Sequence, residues 1–408
     1  MFTKKIHPSG AVFVGEPISG VRSVCFGVWV KTGSRFESDS NKGISHFLEH
    51  MSFKGTEKRT QREIAFEIDS LGGDLNAFTS KESTVFYVKV LDEYLPKGMN
   101  LLFDILFNSS FPEDEIEKEK AIVSEEIKMV EDTPDDYVHD LFNEFVWGDN
   151  GLSYNILGSE ETVNSFKRTD LLDYRTQHYR PDNIVFAVSG NTDPDMVYSI
   201  IDDLLPDKQN PPSNTTPERP VFRSGMKIVE KDHSEVHICH GVEGIPQNSP
   251  ERYTMLLLNT IMGSGVSSRL FQEIRENRGL AYTVYSFVSS FKDTGLFGVY
   301  IGTSPSKYQT VLEIVNREFR NFKDTIKEDE LERAKTHLRG NIILALESTS
   351  GRMNNIARQE IYYGRYHPPS EILSAIEQVS IRDLKDLAEK LFSQDTATVL
   401  LGPVSPNN

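Results

Sequence analysis

Residues 71–90, LGGDLNAFTSKESTVFYVKV, decide the class of fold. Apolar and polar side chains alternate from Asp74, a polar turn spans Ser80 to Ser83, and β-branched and aromatic residues continue to Val90. That is the signature of strand, turn, strand, an antiparallel hairpin. Just upstream, Thr60 is followed three residues later by Glu63, a capping box. Ile64, Ile68 and Leu71 then fall on one stripe, and Gly72 and Gly73 stop the helix. Downstream, residues 113–131 set Ile116, Val123, Ile127 and Val130 along one side of a longer helix. Helices flanking hairpins predict an α+β fold with largely antiparallel sheets.

The same plan recurs. Strand-like residues Val24, Phe26, Val28 and Val30 open one half, and Val236 and Ile238 open the other. The halves close on IVFAVSG, residues 184–190, and ATVLLG, residues 397–402. Between them residues 206–220, PDKQNPPSNTTPERP, are proline-rich and polar and read as a linker. A chain of 408 residues exceeds the size of a single core. Two homologous domains are expected at 1–208 and 221–408, joined by 209–220, each a sheet covered by helices on one face.

The net charge of −17 argues against a nucleic-acid partner, whose phosphates demand a basic face. Such acidity either maintains solubility or attracts basic peptides. No apolar run approaches the ~18 residues of a membrane span, and the first ten residues do not read as a signal peptide. Cys25 and Cys239 sit in apolar strand-like stretches and read as buried thiols, which fits a reducing, cytoplasmic setting.

Residues 43–51, GISHFLEHM, contain H-x-x-E-H. On a helix His46 and His50 project from one face and can share an ion, and neutral imidazole suits zinc. Glu49 borders that face, placed to take a proton from a water at the open coordination position. A third ligand is required, and spacing alone leaves Glu119, Glu125 and Glu126 open, all on the 113–131 helix. The alternating His233, Glu235 and His237, with His240, read as a polar strand edge rather than a second metal site. SSRLFQEIR, residues 267–275, is expected where a duplicated unit would carry its own metal motif.

HFLEHMSFKGT, LGGDLNAFTSKESTVFYV, EIEKEKAIVSEEIKMVED and IRENRGLAYTVYS together resemble the pitrilysin family, M16, and most closely its short bacterial members related to the mitochondrial processing peptidase. The resemblance runs the length of the chain. It implies that His46, His50 and Glu126 hold one zinc ion, that Glu49 is the catalytic base, and that Glu119 supports the ligands from the second shell. It assigns Asn76, Ala77 and Phe78 to a substrate-binding edge strand and Phe53 to a pocket beside the scissile bond. It assigns Arg275 and Tyr282 to the substrate backbone.

The expected activity is a zinc-dependent endopeptidase acting on extended or unfolded peptides in an enclosed chamber, the second domain aiding closure. By analogy with relatives of more units, a homodimer is expected in which Arg275 and Tyr282 act in trans. The alternatives are a non-catalytic scaffold of the same fold and a zinc hydrolase of non-peptide amides. The ligand types would also accept cobalt or manganese.

Overall fold

The computed structural model describes residues 1–205 and 217–404. The linker expected at 209–220 therefore lies outside the described residues as far as 216.

In chain order the elements are β1 (Thr3–Ile6), β2 (Val12–Pro17), β3 (Ser23–Val30), α1 (Ile44–Ser52), α2 (Gln61–Ser70), β4 (Asp74–Thr79), β5 (Thr84–Leu91), α3 (Leu95–Asn108), α4 (Glu113–Glu131) and α5 (Pro134–Trp147). They continue with α6 (Glu160–Ser165), α7 (Arg168–His178), β6 (Ile184–Gly190), α8 (Pro194–Leu204), β7 (Gly225–Glu230), β8 (Val236–Glu243) and α9 (Arg252–Met262). A six-residue π-helix (Phe271–Glu276) precedes β9 (Ala281–Ser290) and β10 (Gly295–Thr303). Last come α10 (Tyr308–Thr325), α11 (Glu328–Ala345), α12 (Thr349–Tyr363), α13 (Pro369–Glu377), α14 (Ile381–Phe392) and β11 (Ala397–Gly402). The hairpin, the Thr60 capping box and the 113–131 helix fall where the sequence put them.

The first sheet runs β1-β2-β6-β3-β5-β4 and the second β7-β11-β8-β10-β9. Without β1 the two orders coincide. In both, the strand that closes the half pairs in parallel with an early strand, β6 with β2 and β11 with β7, and the remaining pairings are antiparallel. This is an α+β fold built twice.

The chain divides into two compact units; one boundary, 217/218, falls in the expected linker, but each unit also takes a segment from the other half. Unit 1 comprises residues 1–129, 154–217 and 344–366, and unit 2 comprises 130–153, 218–343 and 367–408. The division at 208 and 221 is corrected accordingly: α5 packs in the second unit and α12 in the first. The reason lies in the strands. β3 and β6 are buried at nearly every residue, so one covered face would leave half of their apolar side chains in water. On one face of the first sheet Phe26, Val28, Phe86 and Val88 pack against helices from the same half, including Phe47, Leu48 and Leu102. On the other, Cys25, Trp29, Val85 and Val185 meet Met353, Ile356 and Ala357 of α12. In the second unit Val138, Phe142 and Val146 of α5 cover Cys239, Tyr300, Val399 and Leu401. Both cysteines are free and buried.

Two further expectations change. His237 and His240 lie on an interior strand and are buried, their Nδ1 atoms 2.9 Å from Tyr300 Oη and 2.8 Å from Thr398 Oγ1. They are core histidines, not an edge, although His240 Nε2 is buried without a hydrogen-bond partner. And α9 follows β8 as α1 follows β3, whereas the π-helix that ends SSRLFQEIR precedes β9 as α2 precedes β4. The counterpart of α1, which carries the H-x-x-E-H, is therefore α9, RYTMLLLNTIM, which has no His or Glu.

If α12 is an integral layer of the first unit, Ile356→Ala should cost about 2–5 kcal/mol, as core truncations do. Urea unfolding measures it, and a loss below about 0.5 kcal/mol would contradict this packing.

Candidate metal centre

Helix α1 is short and lies apolar side down: Ile44, Phe47, Leu48 and Met51 are buried against the sheet and its neighbours. That orientation sets His46 and His50, one turn apart, on the flank facing α4, with ring centroids 4.3 Å apart. Helix α4 buries Ile116, Val123 and Ile127, and so turns Glu119 and Glu126, two turns apart, towards the histidines.

His46, His50 and Glu126 converge, each offering one atom within 4.8 Å of the others. His50 Nε2 lies 3.9 Å from Glu126 Oε2, too far for a hydrogen bond and near enough for two ligands of one ion. Glu125 points elsewhere, paired with Lys128 at the surface.

Glu119, 2 % exposed, sits behind these three residues. Its Oε1 is 2.8 Å from His50 Nδ1, and its Oε2 is 2.6 Å from Lys54 Nζ. With Nδ1 engaged there, His50 presents Nε2 forward, the usual way a carboxylate orients a metal-binding imidazole. Burial raises the Glu119 carboxyl, but His50 and Lys54 together outweigh it and hold the group below its ordinary range. Burial and the neighbouring His50 push His46 down to about 3, so that ring is neutral. Its Nδ1 is buried without a hydrogen-bond partner. On His50, burial disfavours the charge, while Glu119, Glu126 and Glu49 prevail and raise its pKa.

Glu49 is buried beside this cluster and receives a 2.5 Å hydrogen bond from Thr79 Oγ1. Burial raises its carboxyl above the usual value even though Thr79 and His50 oppose the rise. A carboxylate raised in this way is a better proton acceptor. Three carboxylates thus surround two imidazoles with Lys54 as the cation bound among them. The residues fit a dication: a neutral imidazole, a second one oriented by a carboxylate, a third ligand of opposite charge, and excess negative charge to neutralise.

Thr79 and Lys54 escaped the sequence reading. Thr79 was findable, because it continues the alternation of Leu75 and Ala77, and β4 carries intermediate burial at just those three positions. Lys54 lies beyond the end of α1, where helical spacing no longer applies.

The other predicted residues divide between the units. Phe53 directly follows α1 and packs near Phe86, ring centroids 6.2 Å apart. Asn76, Ala77 and Phe78 lie on β4, the outermost strand of its sheet, which pairs with β5 alone among the described strands. Asn76 Oδ1 accepts the Ala77 N–H at 2.8 Å, and Phe78 packs edge-on against Trp29 at 5.9 Å. Arg275 and Tyr282 belong to the second unit and meet each other, the guanidinium 4.5 Å from the tyrosine ring. Tyr282 is 76 % exposed at the start of β9, the outermost strand of that sheet.

Glu119→Gln removes the charge but not the volume. Metal affinity should fall about 10–100-fold, as loss of such outer partners does, measured by chelator competition. Unchanged affinity would show that Glu119 does not govern His50.

Known proteins are similar to this chain along nearly its whole length. Residues 16–160 match the family described as Insulinase (Peptidase family M16), and residues 165–338 match the Peptidase M16 inactive domain. The chain is 40% identical over 396 residues to the uncharacterized zinc protease YmxG of Bacillus subtilis, covering 97% of each. It is 38% identical to an uncharacterized zinc protease of Rickettsia felis, covering 94% of this chain and 93% of that one. In fold it matches a protease from Helicobacter pylori with a TM-score of 0.93 at 21% identity, over 99% of both chains. It also matches a peptidase M16 inactive domain from Pseudomonas fluorescens, with a TM-score of 0.91 at 19% identity over 99% and 98% of the two chains. With a relative this similar over nearly its full length, the chain belongs to the M16 peptidase family.

Proposed function

We propose that this protein is a zinc metalloendopeptidase that hydrolyses extended or unfolded peptides in an enclosed chamber, with one zinc ion per chain held by His46, His50 and Glu126. The observation that carries the reading is the placement of Glu49, a buried carboxylate beside the convergent ligands and bound by Thr79 of an edge strand. When bound, zinc supplies Lewis acidity and lowers the pKa of water to about 7.

The protein's own residues do the rest. Glu49 accepts the proton of the attacking water and returns it to the leaving nitrogen, and Thr79 fixes the carboxylate for both transfers. Glu119 and Lys54 hold His50 in its ligating orientation. An extended peptide can join β4 at its open edge through Asn76, Ala77 and Phe78, by backbone bonds that tolerate many sequences. The strand that would receive it ends at Thr79, the residue that contacts the base. Phe53 lines the pocket beyond the cut. Arg275 and Tyr282 are donors for the substrate carbonyl, supplied in trans by a homodimer partner. The second unit, whose α9 lacks ligands, serves substrate binding and closure.

We place the protein in the cytoplasm, a reading supported by its two free cysteines. No helix among the described residues is long and apolar enough to cross a membrane.

Two experiments bear on this reading. Glu49→Gln should retain zinc and lose about 10²-fold or more in peptide hydrolysis, since loss of a general base costs that much. A loss smaller than about tenfold would remove Glu49 from the role. For the homodimer, Glu49→Gln protein is mixed with Arg275→Ala/Tyr282→Ala protein under proven subunit exchange. Activity should return, because one mixed site then has an intact zinc unit and an intact Arg and Tyr. A mixture as inactive as its parents would place the pair in cis, and an active Arg275→Ala/Tyr282→Ala parent would place it outside the reaction.

A further inference from the structure

The N-terminus of the metal helix is built in an unusual way. Its N-cap is Gly43, in the left-handed region at φ 89°. A Cβ there would come within 2.5 Å of Leu157 O and 2.8 Å of Gly158 Cα. Conformation and close approach together exclude Ser, Thr, Asp and Asn, the residues that normally satisfy the first N–H groups of a helix. Helix α1 has no side-chain cap of its own.

The cap comes from elsewhere. Glu37 follows the short 3-10 turn Ser34–Phe36, and its carboxylate reaches across to α1. Oε2 accepts the Gly43 N–H at 2.7 Å, and Oε1 accepts the Ser45 N–H at 2.9 Å. Ser45 immediately precedes His46, so the fork grips the turn that carries the first metal ligand. On the same turn Ser45 Oγ lies 2.7 Å from Tyr174 Oη, a phenol in the interior.

We propose that Glu37 is a positioning residue of the metal centre: its carboxylate fixes the register and tilt of α1, and through α1 it fixes His46, Glu49 and His50. The proposal rests on the metallopeptidase reading above.

The environment of Glu37 argues against a purely stabilising role. The residue is 8 % exposed, and burial lifts its carboxyl to about 7 despite the bonds from Gly43 and Ser45 and the field of Lys81. A carboxyl held where burial disfavours its charge lowers stability at neutral pH rather than adding to it. Groups of that kind persist where geometry is needed at a functional site. Helix α1 has only nine residues, so two bonds at its first turn command a large part of its orientation.

The test uses full-length Glu37→Gln and Glu37→Ala proteins, stripped of metal and folded by circular dichroism well below their melting temperatures. Zinc affinity is read by competition with a chromophoric chelator. Peptide hydrolysis by the zinc-loaded proteins gives kcat and KM. The proposal expects affinity to fall about tenfold or more in Glu37→Ala and less in Glu37→Gln, which keeps one acceptor. It expects kcat to fall with KM unchanged, and Glu37→Gln to melt no lower than wild type. Wild-type affinity and kcat in folded Glu37→Ala would overturn it. So would losses confined to melting temperature. Wild-type protein that bound no zinc and cleaved no peptide would overturn the metallopeptidase reading first, a result distinct from failure of the variants alone.

Discussion

Ionisable groups taken out of water must be paired, and that requirement organises the first unit around α1. Two half-buried imidazoles, the buried carboxylates of Glu49 and Glu119 and the half-buried carboxylate of Glu126 stand between α1 and α4. Several have an answer in the surrounding structure: His50 and Lys54 for Glu119, Thr79 for Glu49, loss of charge for His46. What remains is a surplus of negative charge and a buried imidazole nitrogen without a partner. A divalent cation would neutralise that surplus.

That cluster needs a stiff platform, and the sheet supplies it by being buried on both faces. A helix one turn out of place would separate ligands that must lie within a few ångströms of one ion. The apolar fill of β3, β5 and β6 on the α1 side is continuous, from Phe26 through Phe86 to Phe186. The opposite face is closed by α12, a helix encoded far along the chain. Similar logic closes the second sheet with α5. Each unit is thus completed by a helix from the other half of the sequence, which ties a duplicated fold into one polypeptide.

Local signals made much of this legible in sequence. The H-x-x-E-H spacing, the capping box at Thr60, the hairpin at residues 74–91 and the 113–131 helix each follow from periodicities of two or 3.6 residues. Spacing alone left the third ligand open among three glutamates. The geometry brings Glu126 beside His46 and His50 in a group that could hold an ion, puts Glu119 behind His50 and leaves Glu125 outside. What stayed hidden was non-local. Nothing in residues 349–363 announces a partner sheet over 150 residues earlier, because an amphipathic helix records that it has a partner and not which one. Likewise nothing in the loop around Glu37 marks it as the cap of a helix whose own N-cap residue is barred from bearing a side chain. The histidines of β8 misled for a related reason. Alternation shows which side chains share a face, while burial of that face is decided by the neighbouring strands.

The central claim is that His46, His50 and Glu126 hold one catalytic zinc. X-ray absorption at the zinc edge of the purified protein tests it most directly. The account predicts about one zinc per chain, bound by two imidazole nitrogens and by oxygens alone beyond them, all at about 2.0–2.2 Å, with no sulfur. The oxygen shell should shrink in Glu126→Ala. Protein that takes up no zinc, or zinc with a sulfur neighbour at about 2.3 Å, would contradict it.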